Sequence, residues 1–224
     1  MISTLHGIGM TDGMITSSLI TIFLSVLAIV AGRHLSVVPG RLQNVVEMAV
    51  EGLYNFFSDI MGRKLARMYL PLVGTLFIYI LCCNYSGLLP GAGEINGIAA
   101  PTSSINCTAA MAITVFFATQ IAGIRAAHGP KYYLHLFKPV AFIFPLMCIE
   151  MLVRPLSLTL RLYGNVLGEE TATGVFFELI PIGVPVIMQA LSILMGLIQA
   201  LVFALLTAIY LSEACEEEEL TEHE

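Results

Sequence analysis

Charge is what this sequence has least of. Only 12% of its residues are charged while 57% are hydrophobic, and the mean hydropathy is +0.86. That balance excludes an ordinary water-soluble domain, and several apolar runs approach the roughly 20 residues needed to cross a bilayer. Strict period-two alternation is also missing, which excludes a closed transmembrane barrel and leaves helices as the spanning structure. Histidine is absent from the apolar runs: His6, His34, His128, His135 and His223 all fall in connecting segments or tails, so the spans offer no paired haem ligands. The five cysteines, Cys82, Cys83, Cys107, Cys148 and Cys215, form no Cys-x-x-Cys pair. They read as small packing residues rather than as a zinc or redox centre. No glycine-rich phosphate loop, nucleophile elbow or metalloprotease motif occurs, which removes support for a hydrolase or a redox enzyme. No internal repeat is visible, which counts against a stand-alone secondary transporter, the main rival reading.

What remains is an all-α membrane protein with about five transmembrane helices and one interfacial amphipathic helix. The spans are expected at about 13–32, 68–89, 106–124, 139–179 and 183–212, in one polytopic domain covering residues 1–224. No Lys or Arg precedes the first run, so it lacks the positive region of a secretory signal and reads as a retained span. The last uncharged run is too long for an upright helix, so the final two helices are expected to be long and tilted, with a turn near Pro181–Pro185. Residues 41–60 place Leu42, Val45, Val46, Ala49, Leu53, Phe56, Phe57 and Ile60 at helical spacing. They form either an interfacial helix or a cap packed over the bundle. Glu213 to Glu224 reads as a solvated acidic tail. Eight of the ten basic residues lie in the first and third connecting segments, which predicts a cytoplasmic location for both, with the N-terminus outside and the C-terminus cytoplasmic.

One span breaks the apolar rule. Projected at about 100° per residue, Glu150, Arg154, Arg161, Asn165 and Gly168 fall within about 60° of one another, while Glu170 lies opposite and Glu169 at the margin. Glu150 and Arg154 have the i, i+4 spacing and order that favour an ion pair. Arg161 has no equally spaced acid; Ser157 and Asn165 offer it only hydrogen bonds. A guanidinium that cannot deprotonate costs from about 2.5 to more than 10 kcal/mol at membrane depth, so it points to an ion path or a partner's charge. The plainer alternative is pairing with a carbonyl or another helix. Glu169, Glu170 and Glu178 are candidates for a proton relay, though Glu178 reads more readily as an interfacial residue. In the last span, Ser192, Gly196 and Gln199 share a face, suited either to close helix packing or to a site.

The run from Arg154 to Asn165 (R-P-L-S-L-T-L-R-L-Y-G-N) closely resembles the signature of subunit a of the F-type ATP synthase membrane sector, the ATPase A chain family. The resemblance extends to Asn84–Gly91, Pro101–Asn106, Leu197–Phe203 and Thr207–Leu211. It implies a non-catalytic, proton-translocating stator without a cofactor, lying against a rotating ring of c subunits in a bacterial inner membrane. Two half-channels would lead to the ring carboxylates, with Arg161 between them and Asn165 and Gln199 beside it. Its implied partners are the c-ring, the peripheral-stalk subunit b and the lipid bilayer, with no nucleic acid. A family carboxylate falls near Glu170, with Glu169 adjacent, and Ser192 stands where the family commonly has a histidine. A purely structural scaffold would leave Arg161 without a purpose.

Overall fold

Inside a bilayer no water is available to backbone amides, so each spanning segment must satisfy them within itself. The computed structural model describes residues 12–33, 40–88, 100–126, 144–179 and 184–219, and the long elements among them are all α-helices. These are α1 (Asp12–Arg33), α2 (Arg41–Ser86), α3 (Ile105–Ala126), α4 (Phe144–Leu179) and α5 (Val184–Glu219), with a 3-10 turn at Pro101–Ser103 before α3. The all-α membrane class holds. Helices α1, α2, α3 and α5 are long and apolar enough to cross a membrane. Helix α4 is 36 residues long but carries the charged stripe, which lowers its hydropathy. Its expected entry at 139–143 lies outside the described residues, as do most of the turn before α5 and the last five residues of the tail.

The amphipathic stretch forms a helix of its own: α2 consists of two helices that meet at a kink at Gly62, where φ 76 and ψ 155 are non-helical and essentially reserved for glycine. Two expectations need correction. Arg63, Lys64 and Arg67, read as a connection, are already helical and begin the second piece, so no loop separates it from the first. Before the kink, Leu53, Tyr54, Phe57 and Met61 pack over the bundle, while Val45, Met48 and Val50 stay exposed. The second correction concerns the acidic tail: α5 continues to Glu219, and Glu213 is paired rather than simply solvated.

Packing divides the bundle into levels. At one end, Phe57, Met61 and Ala66 of α2 meet Ala122 of α3 and Ala208, Leu211 and Cys215 of α5. Arg125 lies close to Tyr69 at this end, which therefore gathers the basic residues of α2 and α3 with the C-terminal turns of α5. The middle is filled by Ile80, Met111, Val115, Leu158, Leu162 and Phe203. At the other end, Gly87 leaves room for Ala100, whose Cβ would lie 2.8 Å from an added Cβ, and the start of α1 rests on Pro101. The chain thus reverses direction at each connection, as alternating spans require.

Candidate functional site

Helices α4 and α5 run antiparallel, and Arg154 and Asn165 of the α4 stripe reach α5. Arg154 Nη2 donates to Glu150 Oε1 at 2.7 Å, the pair expected from the i, i+4 spacing. Its Nη1 lies 2.7 Å from Glu213 Oε2 of α5, a charge contact rather than an aligned hydrogen bond, and its guanidinium carbon sits 4.8 Å from the centre of the Tyr210 ring. Farther along α4, Asn165 Nδ2 donates to Gln199 Oε1 at 2.7 Å. Glu213 and Tyr210 were not foreseen as partners. Their signal was present: Glu213 follows Gln199 by 14 residues, close to four helical turns, and so shares its face.

These two ties bracket Arg161. It lies four residues from Asn165 and seven from Arg154, so the part of α5 level with it falls within Leu201–Leu206, which is wholly apolar. No hydrogen bond or ion pair joins Arg161 to any described residue, Ser157 and Asn165 included. The side chain is exposed and opens onto a shallow groove with Val153, Leu156, Ser157 and Leu160. Around it, Leu152, Val153, Leu156 and Leu160 are each about half exposed or more. A permanent cation therefore stands alone on an apolar surface.

On the other side of α4, a cavity of about 80 Å³ opens among α3, α4 and α5. Thr119, Gln120, Glu150, Arg154, Tyr210 and Glu213 give it a polar mouth, and Leu158 and Val115 an apolar floor. It lies at the basic end of the bundle.

The remaining residues separate by level. Glu170 is turned to the 3-10 turn, within reach of the Ser103 hydroxyl, with Glu169 as a charged neighbour. Neither carboxylate meets Arg161. The side chain of Glu178 falls outside the described set. Ser192 is buried on α5, as are Gly196 and Gln199. The end of α2 is stitched onto this part of α5: Asn84 Nδ2 donates to Gly196 O at 3.0 Å, Tyr85 OH to Ile193 O at 3.2 Å, and Gln189 Nε2 to Leu88 O at 2.8 Å. Among the described residues no cysteine forms a disulfide: Cys83 and Cys215 are buried and Cys82 and Cys107 partly buried, as packing residues would be.

Comparison with known proteins places the chain in a family. The family model of the ATP synthase A chain matches residues 14–212. The chain is 42% identical over 199 residues to ATP synthase subunit a of Moorella thermoacetica, covering 89% of this chain and 88% of that one. It is 40% identical over 220 residues to ATP synthase subunit a of Geobacter sp. strain M21, covering 95% and 93%, and 42% identical to ATP synthase subunit a 1 of Syntrophotalea carbinolica, covering 89% and 83%. With the match running from the first helix into the last and taking in the whole Arg161 stripe, this chain belongs to the ATP synthase A chain family, a membrane-sector component of the F-type ATP synthase.

Proposed function

We propose that the chain is the non-catalytic stator that conducts protons to and from the rotating c-ring, with Arg161 separating two half-channels. The observation that carries this reading is Arg161 on an exposed apolar face of α4, without a partner among the described residues. An arginine cannot discharge itself by losing a proton, so its charge must be met from outside the chain. A ring carboxylate that has released its proton meets that need. At about 4 Å and an effective dielectric near 20, the attraction is about 4 kcal/mol, enough to draw the carboxylate past an apolar surface. The same fixed charge repels a hydrated proton and so prevents direct leakage between the two sides. Asn165 and Gln199, bonded to each other, hold the α4–α5 crossing beside it.

The cavity at the basic end serves as the aqueous entry on the cytoplasmic side, with Arg154, Glu150 and Glu213 at its mouth. Glu170, beside Ser103 at the opposite end, is the relay carboxylate of the outer path, and Glu169 supports the local negative potential. In this reading the N-terminus lies outside a bacterial plasma membrane and the C-terminus inside, the c-ring rests on the Arg161 face, and subunit b of the peripheral stalk binds elsewhere on the chain.

The deciding experiment is ATP-driven proton pumping in inverted membrane vesicles. Arg161→Ala is expected to abolish pumping while the subunit still assembles, and Arg161→Lys to retain little. Near-normal pumping by assembled Arg161→Ala would overturn the assignment.

A further inference from the structure

Past the kink at Gly62, α2 begins its second piece with three cations, Arg63, Lys64 and Arg67, and no carboxylate occurs from Ile60 to Gly93. All three side chains are exposed, and none forms an ion pair with a described residue. Asp59 stands four residues before Arg63, the spacing that would pair them in a continuous helix. At φ 76 and ψ 155, Gly62 breaks that register, and the pair does not form. Arg63 and Arg67 are themselves one turn apart, where like charges repel. Three charges of one sign, held together and without an acid among the described residues, present an anion-binding patch at the level where the apolar run of α2 begins.

The surface below the cations is apolar. Projected at about 100° per residue, Arg63, Lys64, Arg67, Met68, Pro71 and Thr75 fall within an arc of about 140°, opposite the buried Ala66, Val73 and Ile80. All six are exposed, Met68 by 62%. Thr75 donates its hydroxyl to Pro71 O at 2.6 Å, so the strip makes no polar demand on its surroundings. From Met68 to the half-buried Ile78 it runs about 15 Å at 1.5 Å per residue, the depth of one leaflet of a hydrocarbon core roughly 30 Å thick. Charge at the top and an apolar strip of leaflet length beneath it match the two ends of one kind of molecule.

We propose that Arg63, Lys64 and Arg67 hold the phosphate headgroup of an anionic phospholipid whose acyl chains lie along Met68, Pro71 and Thr75. Long basic side chains reach from the edge of an apolar span to the headgroup level, and clustered ones select anionic lipid. The headgroup supplies the negative charge that Asp59 does not, and it relieves the repulsion between Arg63 and Arg67. The site adjoins the joint at Gly62, from which Phe57 and Met61 are laid over the bundle, so occupancy braces that joint. An acidic segment of a partner subunit would match the cations but leave the apolar strip unexplained. The competing account is a general positive anchor, which would draw anionic lipid no more strongly here than beside any other basic residue at this end. The inference depends on the membrane setting alone and takes nothing from the stator reading.

The chain contains no Trp, so Met68→Trp introduces a single fluorescent reporter on the strip. The full chain is reconstituted in phosphatidylcholine bilayers carrying brominated phosphatidylglycerol or, separately, brominated phosphatidylcholine, and quenching gives the relative affinity of that spot for the two lipids. A preference of about fivefold or more for the anionic lipid is expected, the effect of one cation engaged by one phosphate. Ile121→Trp, exposed on α3 one turn before the single Arg125, is the control and is expected to show less than about twofold. Arg63→Gln, Lys64→Gln and Arg67→Gln together should bring the Met68→Trp preference down to that of the control. Equal preferences at the two reporters overturn the proposal whether or not the triple variant folds, and so does a preference that survives the triple substitution. In the reconstituted whole complex, read as the difference from the complex without the reporter, Met68→Trp must keep its preference. Loss of it there gives the patch to an acidic segment of a partner subunit and overturns the proposal as well.

Discussion

Replacing glycine by alanine at three positions separates internal packing from an outward-facing partner surface. In a helix interior the substitution is worth up to about 1 kcal/mol through backbone entropy alone. At Gly164 and Gly168 nothing lies within 4 Å of an added Cβ, so this gain should be realised in the isolated subunit. At Gly196 the same Cβ would meet Asn84 Cβ at 3.3 Å and Tyr85 Cε1 at 3.4 Å. Asn84 Cβ cannot swing aside, because it is one bond from the α2 backbone and its amide is tied to Gly196 O. Relief therefore requires α2 and α5 to move apart by a few tenths of an ångström. Overpacking of this kind costs about 1–3 kcal/mol, and loosening the Asn84 bond adds about 1 kcal/mol, so the propensity gain is outweighed. Gly196→Ala is expected to destabilise by about 1–2 kcal/mol and Gly164→Ala to stabilise or leave unchanged. Thermal unfolding of the purified subunit in mild detergent reads both. In the whole complex the order should change for Gly164→Ala: a methyl group on the face proposed to meet the ring should slow ATP-driven pumping. A rise in melting temperature for Gly196→Ala equal to that of Gly164→Ala would refute the packing argument.

Further outcomes follow from the same geometry. Glu170→Gln should reduce passive proton conductance more than Glu169→Gln, since Glu170 meets Ser103 and an amide cannot be loaded with a proton; the reverse ranking would transfer the role to Glu169. Glu213→Gln leaves Arg154 its Glu150 contact, and since both carboxylates are about half exposed, a loss under about 1 kcal/mol in subunit stability is expected; a loss of several kcal/mol would show the tie to α5 to be much stronger than solvent screening permits. In a background without native cysteines, Lys131→Cys and Glu219→Cys should react with an impermeant thiol reagent from the cytoplasmic side and Gly97→Cys from outside; labelling of the first two from opposite sides would refute the five-span count.

Within a single helix the geometry is local, about 1.5 Å and 100° per residue, so whatever depends on spacing alone was readable in the sequence. The apolar runs marked α1, α3 and α5, the Glu150–Arg154 pair followed from its i, i+4 order, and the stripe from Glu150 to Asn165 followed from projection. Its match to a known signature pointed to the family. Which helix faces which is a different matter, because it is set by how ridges, glycines and side-chain volumes interlock over residues far apart in the chain. Only the tertiary structure could pair Arg154 with Glu213 and Asn165 with Gln199, bring the apolar Leu201–Leu206 stretch level with Arg161, and seat Asn84 on Gly196. It also decided that the amphipathic helix would join the second span at a kink at Gly62 with no loop between them, since a glycine is tolerated in many conformations and the packing of Phe57 and Met61 fixes the first piece over the bundle. The sequence thus named the charge in the membrane, and long-range packing left it without a partner among the described residues.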